Sequence, residues 1–561
     1  MSSSQVTLSD PTVASDACEI EESPIEQEQE QEQEQEQEQE QEQEQEQEQE
    51  TPMPWDKLLT IVAVRLAEPI NYSLILPFVY KMVEDFGVAK SPKDIAFYAG
   101  ILSSSFSICQ TTTVMFWGQL SDRIGRRPVL LMGLVGNFVT FLMFGFARSY
   151  TWALIARSLN GLLSGNVAVG NVAVSKSVVA EISDNTNRSR CMAILPLLWN
   201  VGCVGGAAIG GLLADPVNQY PNLFGSIRIF HELPFLLPCL VGSMVTFFGI
   251  VYGFVMLEET LATKKARKHT HGDLRPPVKA GLADETTPLV GSETAQAADE
   301  PAAVYKRRTL RDLLTPTVVT VMVTNMLMCL GIACCDQIYP IFAATKTSDG
   351  GLGFDSRNIG ISLAISGVVV LYLQLVMYPR LERKFGALYC YQQGQKVMIP
   401  MYLAMPCLSW MAARSGQAVE HTIGTDQPVI FTPAYAMLWM LLLANLFLRV
   451  IGNVLFFTSV NLLSANLAPT TADLGLMNGA QQLAMSVTRV IGPVMAGYIW
   501  SWSIKHDLPY PFNAHLVWVI CALLTAVSLY MTYDIPESVN KFAAIEVDEY
   551  GRPLSEQDRT E

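Results

Sequence analysis

The sequence predicts an all-α integral membrane protein with twelve transmembrane helices, arranged as two pseudo-symmetric bundles of six. Three observations support this fold class. Of the 561 residues, 50% are hydrophobic and only 16% are charged, which is too apolar for a soluble protein of this length. Twelve apolar windows approach the roughly 20 residues that a bilayer-spanning helix needs, and a long polar stretch separates the first six from the last six. Short motifs recur in the same order in both halves, as a duplicated six-helix unit would produce.

Residues 1–54 are predicted to form a disordered acidic tail in the cytosol. They contain 18 acidic side chains and no Lys or Arg, so they account for the formal net charge of −16. Glu and Gln alternate without interruption from Glu26 to Glu50. Because this tract has no apolar side chain to bury and its like charges repel one another, it is expected to stay solvated. It would serve as a spacer or, alternatively, as a docking arm.

Six spans are predicted in a first bundle, residues 55–257. No cleavable signal precedes residue 55, so the first span is expected to act as an uncleaved anchor. The spans are 58–80, 95–116, 128–147, 151–174, 191–214 and 234–257.

A second bundle, residues 312–535, is predicted after a polar central linker at 258–311, and residues 536–561 form a C-terminal tail. Its spans are 316–344, 358–379, 388–412, 431–463, 475–502 and 513–533. With the N-terminus inside, 18 Lys and Arg fall in inner loops and the linker, and 9 fall in outer loops. The excess of basic residues predicts that both termini and the linker are cytosolic.

Three pairs of motifs relate the two halves. A proline motif occurs in the first and seventh spans, an Arg with a following Gly in the fourth and tenth, and two glycines five residues apart in the fifth and eleventh. They are Leu76-Pro77-Phe78 with Tyr339-Pro340-Ile341, Arg157 and Gly161 with Arg449 and Gly452, and Gly206 and Gly211 with Gly492 and Gly497. Together these pairs indicate an internal duplication.

The loop between the second and third spans reads WGQLSDRIGRRPVL at residues 117–130. Its central glycine allows a sharp turn, and its acid can face the positive end of a neighbouring helix. We predict a conformational latch that holds the two bundles in one state and releases them in another. An ordinary positive-inside loop is the alternative. The latch residues are Gly118, Asp122, Arg123, Gly125, Arg126 and Arg127.

This loop resembles the signature loop of the major facilitator superfamily, and the layout of two sets of six spans agrees with it. The resemblance covers residues 55–535 and implies two bundles that rock about a central cavity, which gives alternating access. Within the superfamily the chain is similar to the twelve-span drug:proton antiporters, and especially to the fungal and plant zinc-induced-facilitator-like proteins. The matching stretches are R-L-A-E-P-I at 65–70, R-S-L-N-G at 157–161 and S-V-T-R-V-I-G-P at 486–493.

One departure from these relatives concerns the direction of transport. The antiporter pattern in the fifth span expects a glycine followed by proline, but Ala207 stands in the proline position. Uptake by a proton symporter or a uniporter is therefore kept as an alternative to export. Glycines and a proline in the fifth and eleventh spans are predicted to pack helices. They are Gly202, Gly206, Gly210, Gly211, Gly492 and Pro493.

A second departure concerns metals. The plant zinc-linked relatives have a paired-cysteine element near the N-terminus and a histidine-rich central loop. Here no cysteine lies between Cys18 and Cys109, and the linker has only His269 and His271. No metal site and no other cofactor are predicted, so a proton gradient would supply the energy for transport.

Charged residues inside the spans are assigned to proton coupling, because a charge in hydrocarbon is costly unless it faces a cavity or a partner. Glu68 is the predicted proton carrier, since a carboxylic acid in a partly dry cavity can bind and release protons near neutral pH. A structural ion pair with Arg65, three residues earlier on the same helix face, is the alternative. Arg157 resembles the superfamily residue that supports proton exchange near this acid. Asp336 is a second proton or substrate site, or lies in water near the outer mouth.

The predicted substrate cavity combines charged, amide and aromatic side chains, a mixture that suits an amphiphilic organic molecule rather than a bare ion. Arg449 and Arg489 can bind an anionic substrate, or Arg489 can brace the eleventh span against its neighbours. The cavity residues are Arg65, Asn71, Tyr72, Gln337, Arg449 and Arg489.

We therefore expect a secondary active transporter that exports a small organic compound in exchange for protons. It would work as a monomer in a lipid bilayer, without nucleic acid, in the plasma membrane or the vacuolar membrane. Uptake, or a transporter-like receptor without turnover, are the alternatives. An enzyme is not expected, because the sequence lacks the nucleotide-binding GxxxxGK[ST], GxSxG and HExxH motifs.

Overall fold

The structure is a computed structural model that describes residues 55–164, 188–256, 313–420, 433–468, 474–506, 509 and 512–540. The predicted acidic tail, the central linker, most of the C-terminal tail and the end of the fourth span lie outside these ranges. Apart from residues 188–191, the described part of the chain belongs to one compact unit. Its regular structure is entirely helical, with no strand among the described residues.

Within the described ranges, twelve helical segments lie at the positions of the twelve predicted spans, which confirms the all-α fold class. The first half contains α1 (Trp55–Leu74, followed by a short helix Val79–Asp85), α2 (Ile95–Ile124), α3 (Arg126–Gly145), α4 (150–164), α5 (Arg188–Leu213) and α6 (Leu236–Met256). The second half contains α7 (Pro316–Ala344), α8 (Ser356–Tyr372, extended by Leu373–Met377 and Tyr378–Phe385), α9 (Ala387–Glu420), α10 (Pro433–Asn466), α11 (Leu474–Lys505) and α12 (Leu516–Thr532).

Length and composition allow most of these helices to cross a membrane. Seven described helices are long and apolar enough, and counting the broken first helix as one span gives eight. Two more apolar helices are shorter, Leu197–Leu213 within α5 and Leu516–Thr532, which is α12. α2 has 30 residues but belongs to neither group. Its middle is rich in Ser and Thr.

The helix contacts show the internal duplication. In the first half α6 packs against α1 and α3, and in the second half α12 packs against the equivalent helices α7 and α9. The halves meet along two seams, α2 with α11 and α5 with α8. Since α8 is the equivalent of α2 and α11 the equivalent of α5, the duplication exchanges the two seams. This is the relation that two pseudo-symmetric six-helix units predict.

The first span is broken, whereas the sequence predicts one helix over 58–80. α1 ends at Leu74, and the next helix begins at Val79 with its axis turned by 53°. Turn hydrogen bonds of 3.1 Å replace the helical ladder across residues 75–78. Pro77 lies at the break and has no N–H to donate to the helical ladder. Its counterpart Pro340 lies inside the continuous α7, so the repeated proline motif has different effects in the two halves.

The start of α2 and the end of α11 lie at the same end of the molecule. The distribution of basic residues predicts that this end faces outward, and we call it the predicted outer end. Both seams are closed there. A Cβ atom at Gly100 would lie 2.5 Å from the carbonyl oxygen of Pro493 on the α2–α11 seam. A Cβ atom at Gly211 would lie 2.6 Å from the carbonyl oxygen of Ser356 on the α5–α8 seam. Only glycine leaves room for these approaches, so its presence lets the halves close on each other here.

Gly211→Leu is expected to lower net transport at least tenfold, because the added side chain would meet the backbone of α8 and keep the predicted outer end from closing. Transport would be measured in membrane vesicles at matched protein levels. Gly205→Leu in the same helix is the matched control, since no atom lies within 4 Å of the position of its Cβ. Equal activity of the two variants would show that closure of the α5–α8 seam is not part of the transport cycle.

Candidate functional site

An ion pair between α7 and α10 lies inside the second half. Arg449 donates a hydrogen bond to the carboxylate of Asp336, and the two side chains are 15% and 28% exposed. A pair sealed in the core would be less exposed, so both groups remain partly accessible. The guanidinium lies 5.8 Å from the centre of the Tyr339 ring. The hydroxyl of Tyr339 shares a hydrogen bond of 2.7 Å with Ser362 on α8.

Aromatic packing fixes the helix that presents Asp336. Phe342, further along α7, packs against Trp500 of α11 and Trp518 of α12, with centroid distances of 6.1 Å and 5.6 Å. All three side chains are fully buried. Edge-to-face aromatic contacts of this kind add to the stabilisation from burial. The position of the carboxylate is therefore set by the core of the second half.

A second arginine, Arg489 on α11, has a different environment. Its guanidinium lies over the ring of Trp199 on α5, 5.3 Å from the ring centre. Trp199 also packs at a tilt against Tyr72 on α1, with 5.9 Å between the centroids. The face of an aromatic ring attracts a cation electrostatically. Side chains from α1, α5 and α11, and hence from both halves, therefore meet at one place.

The charges of both halves converge on this region. The thiol of Cys203, one turn after Trp199 on α5, lies in the electrostatic field of acids and bases from α1, α7, α10 and α11. The hydroxyl of Tyr72 lies in an overlapping field, which includes a base of α4. The charged groups are those of Glu68, Arg157, Asp336, Arg449 and Arg489. The structure thus places all three predicted proton-coupling residues and both predicted cavity arginines of the second half within electrostatic reach of Cys203 or Tyr72.

Glu68 and Arg65 interact along α1, as their spacing of three residues predicts. Both side chains are partly exposed, and the charge of Glu68 acts on the Arg65 guanidinium. Pro69, directly after Glu68, packs against Gly202 of α5. This turn of α1 is therefore held against the helix on which the charges converge. The role of Glu68 as proton carrier stays a prediction.

Arg157 on α4 is buried, with 6% of its surface exposed. Its guanidinium lies 4.5 Å from the ring centre of Phe106 on α2, and Tyr72 and Cys239 are its electrostatic neighbours. The aromatic face partly compensates the loss of water around the cation. That Arg157 supports proton exchange beside Glu68 stays a prediction.

Two predicted cavity residues are buried in the helix packing. Asn71 is 3% exposed, and its amide donates a hydrogen bond of 2.9 Å to Thr246 of α6. Gln337 is buried to the same extent, and within the described residues its Nε2 has no hydrogen-bond partner. The amide nitrogen of Asn71 therefore joins two helices of the first half, while its Oδ1 has no hydrogen-bond partner among the described residues. That Asn71 and Gln337 line a substrate cavity stays a prediction.

A contact between the halves lies beside the charged region, and no sequence motif indicates it. The side-chain amide of Asn200 on α5 donates a hydrogen bond of 2.7 Å to the amide oxygen of Gln374 on α8. Gln374 belongs to Leu373–Met377, a π-helical turn within the predicted span 358–379. Such turns often occur at functional sites because they shift side chains out of the α-helical register. Apolar periodicity does not reveal a single π turn.

The predicted latch forms the turn between α2 and α3. Gly125 has a φ of +104°, which an L side chain rarely adopts, and α2 ends at Ile124 directly before it. Arg127 donates a hydrogen bond of 2.6 Å to the backbone carbonyl of Phe254 on α6 and lies over the ring of that residue. These contacts of the loop stay within the first half.

The structure gives the exposure of two of the other latch residues. Gly118 is partly buried within α2, and Arg123 is exposed near its end. The side chains of Asp122 and Arg126 lie outside the described part of the chain. A lock between the two bundles at this loop therefore stays a prediction.

The predicted packing residues of α5 and α11 all lie at helix contacts, where a larger side chain would meet a neighbouring helix. Gly202, Gly206 and Gly210 face α1, Gly211 faces α8, Gly492 faces α7 and Pro493 faces α2. Ala207, in the position of the antiporter proline, lies in the continuous part of α5 and is buried. This helix therefore lacks the proline kink at Ala207 that the antiporter pattern implies.

Polar contacts that the sequence does not indicate also join the halves at the predicted outer end. Lys505, the last residue of α11, forms an ion pair with Asp94 directly before α2. Lys93 donates a hydrogen bond of 3.1 Å to the backbone carbonyl of Ile504. These contacts extend the closure at the glycine approaches of the two seams.

Linking positions 94 and 505 is expected to stop transport reversibly. Asp94→Cys with Lys505→Cys, in a chain that also has the exposed Cys407 changed to Ser, would be treated with a short reducible cross-linker. The link would hold the predicted outer end closed, so transport in vesicles should fall to background and return on reduction. Lys81→Cys with Asp85→Cys is the control, because this 3.2 Å pair lies within one helix. Full transport by the linked 94–505 chain would contradict opening at this end.

Comparisons with known proteins agree with this geometry. A family model described as Major Facilitator Superfamily matches residues 61–419. The Major facilitator superfamily multidrug transporter mfsB of Aspergillus fumigatus is 30% identical over 538 residues, which cover 86% of this chain and 84% of that protein. Protein ZINC INDUCED FACILITATOR 1 of Arabidopsis thaliana is 27% identical over 484 residues, which cover 86% of this chain and 91% of that protein. The resemblance drawn from the motifs is therefore confirmed.

A solved structure shows the same fold. The crystal structure of a D-xylose–proton symporter matches with a TM-score of 0.58 and 16% sequence identity, covering 87% of this chain and all of that chain (100%). At this identity the likeness concerns the fold alone. It confirms the architecture of two six-helix bundles.

Proposed function

Because the chain belongs to the Major Facilitator Superfamily, a family of membrane transporters and not of enzymes, we propose that it exports a small organic compound in exchange for protons. The observation that supports this most is the convergence of Glu68 and Asp336, from different halves, on the region around Cys203. Carboxylates that border a cavity inside a membrane protein are suited to bind and release protons during a transport cycle.

The arrangement supports a cycle of alternating access. With the predicted outer end closed, substrate would enter the charged region from the cytosolic side. Movement of the halves along the α2–α11 and α5–α8 seams would then expose the region to the outside. Protons would bind to Glu68 after the substrate leaves, and would be released on the cytosolic side. Exchange results if a proton and the substrate occupy the site in alternation.

The name of one relative supports export of an organic compound. The Aspergillus fumigatus protein is named as a multidrug transporter, and this chain matches it over most of its length. We further propose that the protein acts as a monomer, with both termini in the cytosol, in the plasma membrane or the vacuolar membrane.

An untargeted mass-spectrometric comparison of cell contents and medium tests the proposed function. Cells would express the native chain, Glu68→Gln or no transporter, at matched membrane levels. We expect at least one organic compound to move outward only with the native chain. A compound that accumulates inside would indicate uptake or storage in an organelle, and fractionation would separate the two. Identical profiles in all three cultures would contradict transport.

Uptake is the second candidate function, and Ala207 favours it. The antiporter pattern has a proline at this position, whereas α5 continues through Ala207 and Gly211 without a break. Without a proline at position 207, α5 would seal the transport path differently against proton leak. Ala207→Pro is therefore informative: it should leave exchange intact in an exporter and impair a symporter.

A further inference from the structure

We propose that Arg489 binds an acidic group of the substrate, and that the substrate is an amphoteric organic molecule with an acidic group, a basic group and a flat apolar body. This inference rests on the proposed transport function and narrows its substrate class. Its basis is the difference between the arginines of the charged region around Cys203 and Tyr72.

The two cavity arginines of the second half differ in their partners. Arg449 is balanced by the carboxylate of Asp336, to which it donates a hydrogen bond. Arg489 lies against the ring of Trp199, and among the described residues no carboxylate lies within ion-pair distance of it. An aromatic face compensates a cation less than an anion does. Arg489 therefore offers a charge that a substrate anion can balance.

The other charges point to the same residue. Acids and bases of the region balance in part, since Asp336 pairs with Arg449 and Glu68 interacts with Arg65. Arg157 adds positive charge but is buried against a ring. Arg489 is partly exposed, so a substrate can reach its guanidinium. A planar guanidinium also suits a carboxylate, because it can donate two parallel hydrogen bonds to it.

Trp199 and Tyr72 define the apolar part of the substrate. Their rings pack together at 5.9 Å, and the Arg489 guanidinium lies over the Trp199 ring. A flat apolar or aromatic group can lie against these rings while its acidic group reaches Arg489. The substrate would thus bridge α11 of the second half and α1 and α5 of the first half.

Exchange with protons requires a basic group as well. Protonation of a cavity carboxylate makes the region more positive, so it would strengthen the binding of a simple anion and favour co-transport. A substrate ammonium group behaves differently, because it competes with a proton for the same carboxylate. Glu68, on the same helix as Tyr72, is the carboxylate that we assign to this group. An amphoteric substrate therefore reconciles the positive charge of Arg489 with exchange.

Equilibrium dialysis with the purified full chain in lipid nanodiscs tests this inference. The probes share one flat body: 2-naphthoate is the acid, 2-naphthylmethylammonium the amine, 2-naphthylmethanol the neutral form and 2-naphthylalanine the zwitterion. We expect the zwitterion to bind most tightly and the acid to bind more tightly than the amine. The affinity of the zwitterion should fall as the pH is lowered, and that of the acid should not.

Variants assign the two groups of the probe. Arg489→Gln should lower the affinities for the zwitterion and for the acid at least tenfold and leave the affinity for the amine unchanged. Arg489→Lys should have an intermediate effect. Glu68→Gln should make the affinity for the zwitterion no higher than the affinity for the acid. Arg148→Gln, at a side chain that is 70% exposed, is the control. Thermal unfolding of each variant would show whether it is folded.

The outcomes separate this inference from the proposed function. Zwitterion and acid binding that does not respond to Arg489→Gln would overturn the inference, even if cells export a compound. Equal affinities of acid and zwitterion would overturn the assignment of a basic group. Arg489-dependent binding in a chain that moves no compound in cells would support the inference and contradict the proposed function.

Discussion

Glu68→Gln is expected to abolish net transport against a gradient while leaving the exchange of labelled for unlabelled substrate intact. Glutamine keeps the size and the hydrogen-bonding oxygen of the side chain, but it cannot bind or release a proton. Net transport should fall by roughly 100-fold or more, the range that loss of a proton-transferring group produces. Exchange between the two sides does not require the empty chain to return with a proton, so it should continue.

Vesicles containing the purified chain allow both activities to be measured. Glu84→Gln is the matched control, because Glu84 is a glutamate of the short helix after α1, is 41% exposed and pairs with Lys81 outside the charged region. Loss of both activities in Glu68→Gln would favour the structural ion pair with Arg65 over a proton carrier. Unchanged net transport would exclude Glu68 from coupling altogether.

Breaking the pair between Asp336 and Arg449 is expected to destabilise the protein strongly. Arg449→Gln leaves the carboxylate in a region of low dielectric without the base that stabilises it. Removal of one member of a fully buried pair costs about 3–5 kcal/mol. We expect roughly 2–3 kcal/mol here, because the pair is 15% and 28% exposed and solvent screens it in part. Asp336→Asn should have a comparable effect, since it leaves the cation unbalanced.

The double variant Asp336→Asn with Arg449→Gln should be more stable than the two single effects predict when added. Thermal unfolding of the four chains, in one lipid or detergent, gives the interaction free energy as a double-mutant cycle. Arg148 and Glu232 provide the control, because their pair of 2.8 Å is 70% and 46% exposed and should interact by less than about 1 kcal/mol. Additive effects at Asp336 and Arg449 would contradict a coupled pair.

The positions of the spans could be predicted from the sequence because the bilayer imposes a length and a composition on each helix. All twelve predicted spans coincide with helical segments in the described residues. The break after Leu74 could not be predicted from its motif, since the matching Pro340 leaves α7 continuous. Whether a proline breaks a helix depends on how neighbouring helices satisfy the freed backbone groups.

The charged side chains of the site could also be found in the sequence, because a charge within a span requires a special reason. The sequence does not show which of these side chains pair. Asp336 and Arg449 lie on helices separated by two others along the chain, and nothing in their local sequence shows that they face one another. For the same reason Trp199, the partner of Arg489, and the bridge from Asn200 to Gln374 emerge only from the packing of the helices.

The most direct test of proton-coupled export is to follow protons and substrate together. The purified chain would be placed in liposomes with a pH-sensitive dye inside, together with a compound that the native chain moves in cells. Export in exchange for protons predicts that the compound and protons cross in opposite directions at a fixed ratio, and that neither crosses net in Glu68→Gln. Movement of the compound without protons, or movement of the compound and protons in the same direction, would contradict proton-coupled export.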